Sequence, residues 1–342
     1  MILARAPMRI SFVGGGTDFP DFYRRYPGQV ISTAIDKFVH IAINRTPLVD
    51  KISARYNTTE TVDCLDDLKH TRIKAALADA GIATGLEIAS FATLPVNTGL
   101  GSSSSFSVAL IRALTAYQGK KIDKTSLAEA ASRLEIDLVG EPIGKQDQYA
   151  AAFGGFNRFR FETDGTVQAR PVLLDFKSRS AFEDRVMLFF TGITRNASSV
   201  LAEQKANIEK KFETLQSMAD AVPEFASRLT AADYPGMGRM LHEGWIQKKS
   251  LSSNGSNSAI DAIYEAGLGA GAWGGKLLGA GGGGCVLFLA PPEHKADIRS
   301  AVSSAAAAQS LTGFREIPIQ FIQSGAELLH NSDFNGRGVA FA

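Results

Sequence analysis

Apolar positions along this chain recur with two different periods, and the segments they mark alternate from one end to the other. Runs rich in Ile, Val and Phe predict strands over 6–13, 38–45 and 86–93. Apolar residues three and four apart predict helices over 71–80, 104–117 and 126–139. In the last of these, Ser126 and Glu129 have capping-box spacing, and Leu127, Ala131, Leu134 and Leu138 share one face. Gly119 and Gly140 stand where two of the helices should stop.

The pattern changes near 178–184. A strand over 185–191 opens a second region, followed by long helical patterns over 198–218, 224–231, 234–251 and 259–266. A strand at 285–289, a helix at 293–308 and a strand at 315–322 come next, with a loose tail expected from Asn331. Strands and helices mixed in this order predict an α+β fold in two domains, 1–183 and 184–342. No internal repeat is present.

Composition narrows the classes of function. A chain of 342 residues can bury two substantial cores, and 45% hydrophobic with 21% charged residues is ordinary for a globular protein. A net charge of +1 points to no nucleic-acid or polyanionic partner. No apolar run is long enough to span a bilayer, and the first residues lack the pattern of a secretion signal. The expected setting is cytoplasmic and reducing. Cys64 and Cys285 have no pairing signature and are expected to be buried thiols. The five histidines lack metal or catalytic spacing.

The chemistry concentrates in glycine-rich stretches. Gly99, Leu100, Gly101, Ser102, Ser103 and Ser104 immediately precede the apolar helical pattern of Phe106, Leu110, Leu114 and Tyr117. Glycines permit a tight turn and close approach, and the first turn of a helix offers unpaired N–H groups at the positive end of its dipole. Together they form a candidate phosphate cradle. No Gly-Lys-Ser/Thr sequence occurs, so the cradle is not a Walker loop. Asp147, within Gly144-Lys145-Gln146-Asp147-Gln148-Tyr149, reads either as a helix cap or as a catalytic carboxylate.

Three stretches in order resemble the motifs of the GHMP kinases, named for galactokinase, homoserine kinase, mevalonate kinase and phosphomevalonate kinase. They are Pro95 to Ser103 (Pro-x-x-x-Gly-Leu-Gly-Ser-Ser), Ala6 to Asp18 (ending Gly-Gly-Gly-Thr-Asp), and Lys276 to Gly284 (Lys-Leu-Leu-Gly-Ala-Gly-Gly-Gly-Gly). The resemblance implies an N-terminal domain like the second domain of ribosomal protein S5 and a ferredoxin-like C-terminal domain. It implies ATP held by residues 99–104 and Gly281, and Mg2+ held by Ser103 and Glu135, whose spacing suits the family better than that of Glu141. Asp147 becomes the base and Arg9 the cation beside it.

The resemblance also speaks to the acceptor. Galactokinases carry a glutamate and a histidine where this chain has Gly15 and Gly16, so galactose is a poor candidate. Gly14, Gly15, Gly16, Thr17 and Asp18 are the expected acceptor contacts. The Gly-Gly-Gly-Thr-Asp motif, the run from Gln146 to Asn157 and the segment from Phe189 to Arg195 resemble the branch acting on D-glycero-D-manno-heptose 7-phosphate at its anomeric hydroxyl. A phosphorylated acceptor needs its own cations, and Arg195, Lys248 and Lys249 are the candidates, with Arg24 and Arg25 behind them. A kinase of an unphosphorylated sugar such as L-fucose is the alternative. A catalytically silent sugar- or nucleotide-binding regulator is a further one, which the joint presence of Ser103, Glu135 and Asp147 disfavours. The expected partners are therefore the sugar phosphate and ATP, with a homo-oligomer left open.

Overall fold

The computed structural model describes residues 1–194, 197–252 and 255–332. Two antiparallel strands, β1 (Ile2–Val13) and β2 (Gly28–Arg45), form the spine. β2 is long enough to serve two neighbours. Its first half pairs β6 (Phe156–Phe161), and its second half pairs β5 (Leu86–Ala92). β3 (Ile52–Arg55) runs parallel to β5 and pairs β4 (Thr59–Val62), while β7 (Val167–Pro171) pairs β6. From Ala6 onward β1 is buried on both faces, which accounts for its departure from a strict apolar–polar alternation. Ile2, Ala4 and Ala6 join a core with the helices Thr71–Asp79, Ser102–Tyr117, Lys124–Arg133 and Gln146–Phe153. Beyond a register shift at Pro7–Arg9, Met8, Ile10 and Phe12 enter a second core.

That second core joins the spine to the other half of the molecule. The Phe12 ring lies 5.5–5.8 Å from those of Phe156, Phe182 and Phe225. The partner sheet has the order β11-β8-β10-β9, from β8 (Val186–Phe190), β9 (Gly274–Leu277), β10 (Cys285–Leu289) and β11 (Arg315–Glu316). Numbered within this half, the order is 4-1-3-2, with helices between its first and second strands and again between its third and fourth. That is the ferredoxin-like arrangement expected from the resemblance.

Several local expectations change. The helix near 126 starts at Lys124, capped by Asp123, whose carboxylate accepts from Ser126 N–H at 2.9 Å. It passes into a π-turn over Leu134–Leu138. The expected helix over 198–218 divides into Ala197–Ala206 and Phe212–Thr230, and the latter absorbs 224–231. Pro223 sits inside it and cannot donate to the Ala219 carbonyl; the Gln29 side-chain amide reaches that oxygen at 3.5 Å. The strand expected over 315–322 shrinks to two residues before Pro318. Asn331 itself is not part of a tail, and the rest of the tail expected from it, beyond 332, lies outside the described residues. Asn331 ends β12 (Glu327–Asn331), which pairs β1 and returns the chain to the first sheet. Cys64 is exposed, and Cys285 is buried as expected.

The two halves also meet backbone to backbone. A Cβ on Gly279 would lie 2.5 Å from the Gly99 Cα, and one on Gly99 would lie 2.5 Å from the Leu278 carbonyl oxygen. Both glycines have positive φ, +81° at Gly99 and +75° at Gly279. A Gly279→Ala protein should therefore lose about 1–3 kcal/mol from its left-handed backbone alone, and more from the clash. The expected result is a melting temperature several degrees lower, measured by differential scanning calorimetry.

Candidate active site

A cleft of about 490 Å³ opens where the three glycine-rich stretches converge. A wider groove of about 840 Å³ near Phe176 and Lys295 contains none of the candidate residues. One wall of the cleft is the start of the Ser102–Tyr117 helix. Gly101 turns into it with φ of +75° and offers no capping side chain. The first helical bond runs from Ser105 N–H to the Gly101 carbonyl, so the N–H groups of Ser102, Ser103 and Ser104 remain unpaired among the described residues. These donors and the helix dipole suit a polyphosphate.

Arg9 joins this loop to Asp147. Its Nε and Nη2 donate to the two Asp147 carboxylate oxygens at 2.8 and 2.7 Å, in a fork. Its Nη1 donates to the Gly99 carbonyl at 2.6 Å, and its backbone N–H donates to the Leu100 carbonyl at 2.9 Å. Such planar bidentate pairing fixes orientation as well as distance. The Asp147 side chain keeps 24% exposure toward the cleft, whereas the Arg9 side chain keeps 6%.

Asp18 fills the next position. Its carboxylate accepts from Gln146 N–H and the Gln146 side-chain amide, both at 3.0 Å, and from Gly16 N–H at 3.2 Å. It thereby caps the Gln146–Phe153 helix from 128 residues away and places Asp147 in the first turn. Gln146 also accepts from the Ser11 hydroxyl at 3.0 Å. A Cβ on Gly144 would fall 2.1 Å from the carboxylate, which explains the glycine there. Burial pushes the Asp18 carboxyl up to about 6, the Asp147 charge adds to this, and the N–H donors act against it.

Glu135 lies behind the serine wall, on the π-turn, with no exposed surface. It accepts from Ser104 Oγ at 2.8 Å, Ser107 Oγ at 3.0 Å, Arg72 Nε at 3.1 Å and the Gln148 side-chain amide. Its burial raises its pKa, and Arg72 pulls the other way. Ser103 is not among its partners; Ser104 takes that place, and Ser103 faces the cleft.

Lys248 and Lys276 also line the cleft. The Lys248 ammonium donates to the Gly279 carbonyl, and Lys276 donates to the Phe12 carbonyl at 2.7 Å. Both are buried, and neither forms an ion pair among the described residues. Burial, reinforced by Arg9, lowers Lys248 to about 8. Burial and the neighbouring Lys248 charge drive Lys276 down as well.

The structure thus gathers Arg9, Gly15, Gly16, Asp18, Gly99, Gly101, Ser102, Ser103, Ser104, Asp147 and Lys248 around one cleft. Other candidates fall elsewhere. Gly14 packs on β2, where a Cβ would meet the Gln29 carbonyl at 1.9 Å. Thr17 has no exposed surface and braces Gly14 and Gln29 through its hydroxyl. The Leu100 side chain belongs to the second core. Gly281 packs on Gly255; Gly279 and Ala280 reach the cleft instead. Lys249 lies over the Trp245 ring and 3.5 Å from Asp261. Arg25 pairs with Glu209, and Arg24 is exposed outside the cleft. Arg195 lies outside the described residues.

Arg72, Gln146 and Lys276 were not singled out as site residues by sequence reasoning. Lys276 stood inside a quoted motif, and Gln146 beside Asp147. Arg72 carries no spacing signal.

Comparison with known proteins identifies the family. The family described as GHMP kinases N terminal domain matches residues 68–155, and that described as GHMP kinases C terminal matches residues 221–308. The chain is a GHMP kinase. A D-glycero-alpha-D-manno-heptose 7-phosphate kinase of Campylobacter jejuni is 28% identical over 316 residues, covering 88% of this chain and 93% of that protein. The L-fucokinase/L-fucose-1-P guanylyltransferase of Bacteroides fragilis is 27% identical; the match covers 87% of this chain but 35% of that longer protein. A solved D-glycero-D-manno-heptose 1-phosphate kinase from Bacteroides thetaiotaomicron shares the fold with a TM-score of 0.79. It is 23% identical and covers 97% of this chain and 99% of its own.

This GHMP kinase is an ATP-dependent sugar kinase. Among its described residues no helix is long and apolar enough to cross a membrane.

As the proposed acceptor contact, Asp18 should make sugar binding sensitive to pH. A carboxylate accepts hydrogen bonds from sugar hydroxyls better than a carboxylic acid does, and this one protonates as pH falls through about 6. The acceptor KM should therefore rise below pH 6 in steady-state assays. Asp18→Asn should start with a raised KM and lose that inflection.

Proposed function

We propose that the acceptor is a sugar carrying a terminal phosphate, D-glycero-D-manno-heptose 7-phosphate, phosphorylated on its anomeric C1 hydroxyl to the 1,7-bisphosphate. The observation that carries this reading is the pair Lys248 and Lys276. Both side chains are buried, donate only to carbonyl oxygens and form no ion pair among the described residues, so an arriving anion would favour their charged forms against the burial that opposes them. Lys248 and Lys276 line the same cleft as the serine loop but donate to the Gly279 and Phe12 carbonyls rather than to that loop's residues, and in this reading they take the second phosphate. Gly15 adds room: a Cβ there would meet nothing closer than 3.9 Å. The C. jejuni relative's name supports the same acceptor.

In this reading Asp147 accepts the proton of the C1 hydroxyl. The freed oxygen forms a bond to the γ-phosphorus, the bond from that phosphorus to the bridging oxygen breaks, and ADP leaves with the electron pair. Arg9 holds the base in register with the phosphate cradle. Asp18 orients the sugar through its hydroxyls.

Magnesium is proposed as the ion that accompanies ATP. The residues fit it in kind. Glu135 and the serine hydroxyls are hard oxygen donors, and beside Glu135 the buried Gln148 Oε1 has no hydrogen-bond partner among the described residues. Ser103 and Glu135 would hold the ion, which when bound neutralises charge on the phosphates.

Asp147→Asn should lower kcat by about two to four orders of magnitude. ADP affinity, measured by calorimetry, should be nearly unchanged. Near-normal turnover would remove Asp147 from the base role.

The acceptor assignment is tested by kcat/KM for the heptose and its 7-phosphate. A charge-assisted contact contributes about 1.5–3 kcal/mol, so the phosphorylated sugar should be preferred roughly tenfold to a hundredfold. Lys248→Met and Lys276→Met should each erode that preference while leaving turnover of the unphosphorylated heptose. Lys248 is charged below about pH 8 and neutral above it. The preference should therefore hold at pH 7 and decline above pH 8. Equal kcat/KM for the two sugars would sink the reading, and efficient turnover of L-fucose would replace it.

A further inference from the structure

Arg72 is the one strong cation of the cleft with no part in the chemistry above. It stands in the first turn of the Thr71–Asp79 helix and lines the cleft, as Asn97 and Ser103 do. Its Nε donates to Glu135 Oε1 at 3.1 Å. Its Nη2 bridges both oxygens of Glu141, at 2.5 and 2.6 Å. The Glu141 N–H in turn donates to the Glu135 carbonyl at 2.9 Å. Two carboxylates are thus drawn to one guanidinium.

A wholly buried carboxylate needs a countercharge. Three hydrogen bonds from Ser104, Ser107 and Gln148 satisfy the Glu135 oxygens without supplying one; Arg72 supplies it. A divalent ion at Glu135 would make the same charge redundant and crowd the guanidinium. Gln148 Oε1 gives the position a second mark, since it is a buried acceptor beside Glu135 that nothing described satisfies. Glu135 also lies on a π-turn, a helix irregularity frequent at functional sites.

We propose that Arg72 is a charge latch, occupying the cation position while the nucleotide site is empty and moving to the nucleotide phosphates when a divalent ion reaches Glu135. Glu141, with 20% side-chain exposure, is the hinge partner that keeps the arginine near the cleft rim. The latch keeps Glu135 neutralised between turnovers. It also makes the site select nucleotide with its metal, because metal-free nucleotide leaves Arg72 tied to Glu135. The proposal rests on magnesium being the ion held at Glu135.

The test uses Mn2+ as the probe, followed by electron paramagnetic resonance on the full chain with and without ADP. Wild-type protein should hold Mn2+ with ADP and bind it weakly alone. Arg72→Gln retains donor groups but loses the charge, and should bind Mn2+ without ADP roughly tenfold more tightly or better. Adding Glu135→Gln should abolish that gain. Unchanged ADP-independent binding in folded Arg72→Gln protein overturns the latch while leaving the metal assignment intact. Absence of Mn2+ from the wild-type ADP complex overturns the assignment, and the latch with it. Should Arg72→Gln fail to fold, the wild-type arginine Nε resonances decide, with Arg72 assigned through Arg72→Lys. A shift with Mg2+-ADP but not with ADP alone supports the latch; identical spectra refute it.

Discussion

The Arg9 fork is the interaction on which the rest of the site depends. One side chain on the central strand grips the Asp147 carboxylate, the Gly99 carbonyl and, through its backbone, Leu100. The carboxylate and the phosphate cradle belong to separate helices. Without a shared anchor, each would be positioned only by its own packing. A planar guanidinium bonded in three directions fixes their separation, and phosphoryl transfer depends on such separation more than on any covalent chemistry the protein performs. Gly101 follows from the same constraint, since a Cβ there would lie 3.3 Å from the Arg9 side chain.

The cleft is assembled from charges that would each be more stable in water. Asp18, Glu135, Lys248 and Lys276 are all buried. Burial opposes the charged form of all four, with Asp18 at about 6 and Lys248 at about 8. The two carboxylates are compensated by N–H, hydroxyl and guanidinium donors. The two lysines donate only to carbonyl oxygens, with the Asp147 and Asp18 charges acting on Lys248 without a direct ion pair. That asymmetry is what supports reading the lysines, as proposed above, as a receptor for an anion. The strain of holding it is supported by the large apolar cores on either side.

Much of this was legible in the sequence, for physical reasons that differ from residue to residue. A helix with one buried face declared itself by period, as at 71–80, and a strand buried on both faces by its continuous apolar run, as at 285–289. The cradle was legible because only glycine tolerates the backbone at 99 and 101, and only an uncapped helix start leaves its donors free. Period failed where a different force prevailed. Pro223 continues a helix because Gln29 serves the carbonyl it leaves open. Thr17 and Gly14 matched a contact motif but are buried as its scaffold. Arg72 could not be found from spacing, since its two carboxylate partners lie more than sixty residues away.

Lys276 shows why the two halves of the chain must be read together. In β9 it sits in a strand buried along its length, where a lysine would ordinarily contradict the pattern. Its ammonium escapes that contradiction by crossing to the Phe12 carbonyl of β1, in the other sheet. The crossing works because the halves touch at Gly99 and Gly279 without side chains between them. The glycines that bring the backbones together therefore also bring a cation from one sheet to face a carboxylate and phosphate cradle on the other. In the proposed reading, acceptor recognition is therefore a property of the contact between the halves.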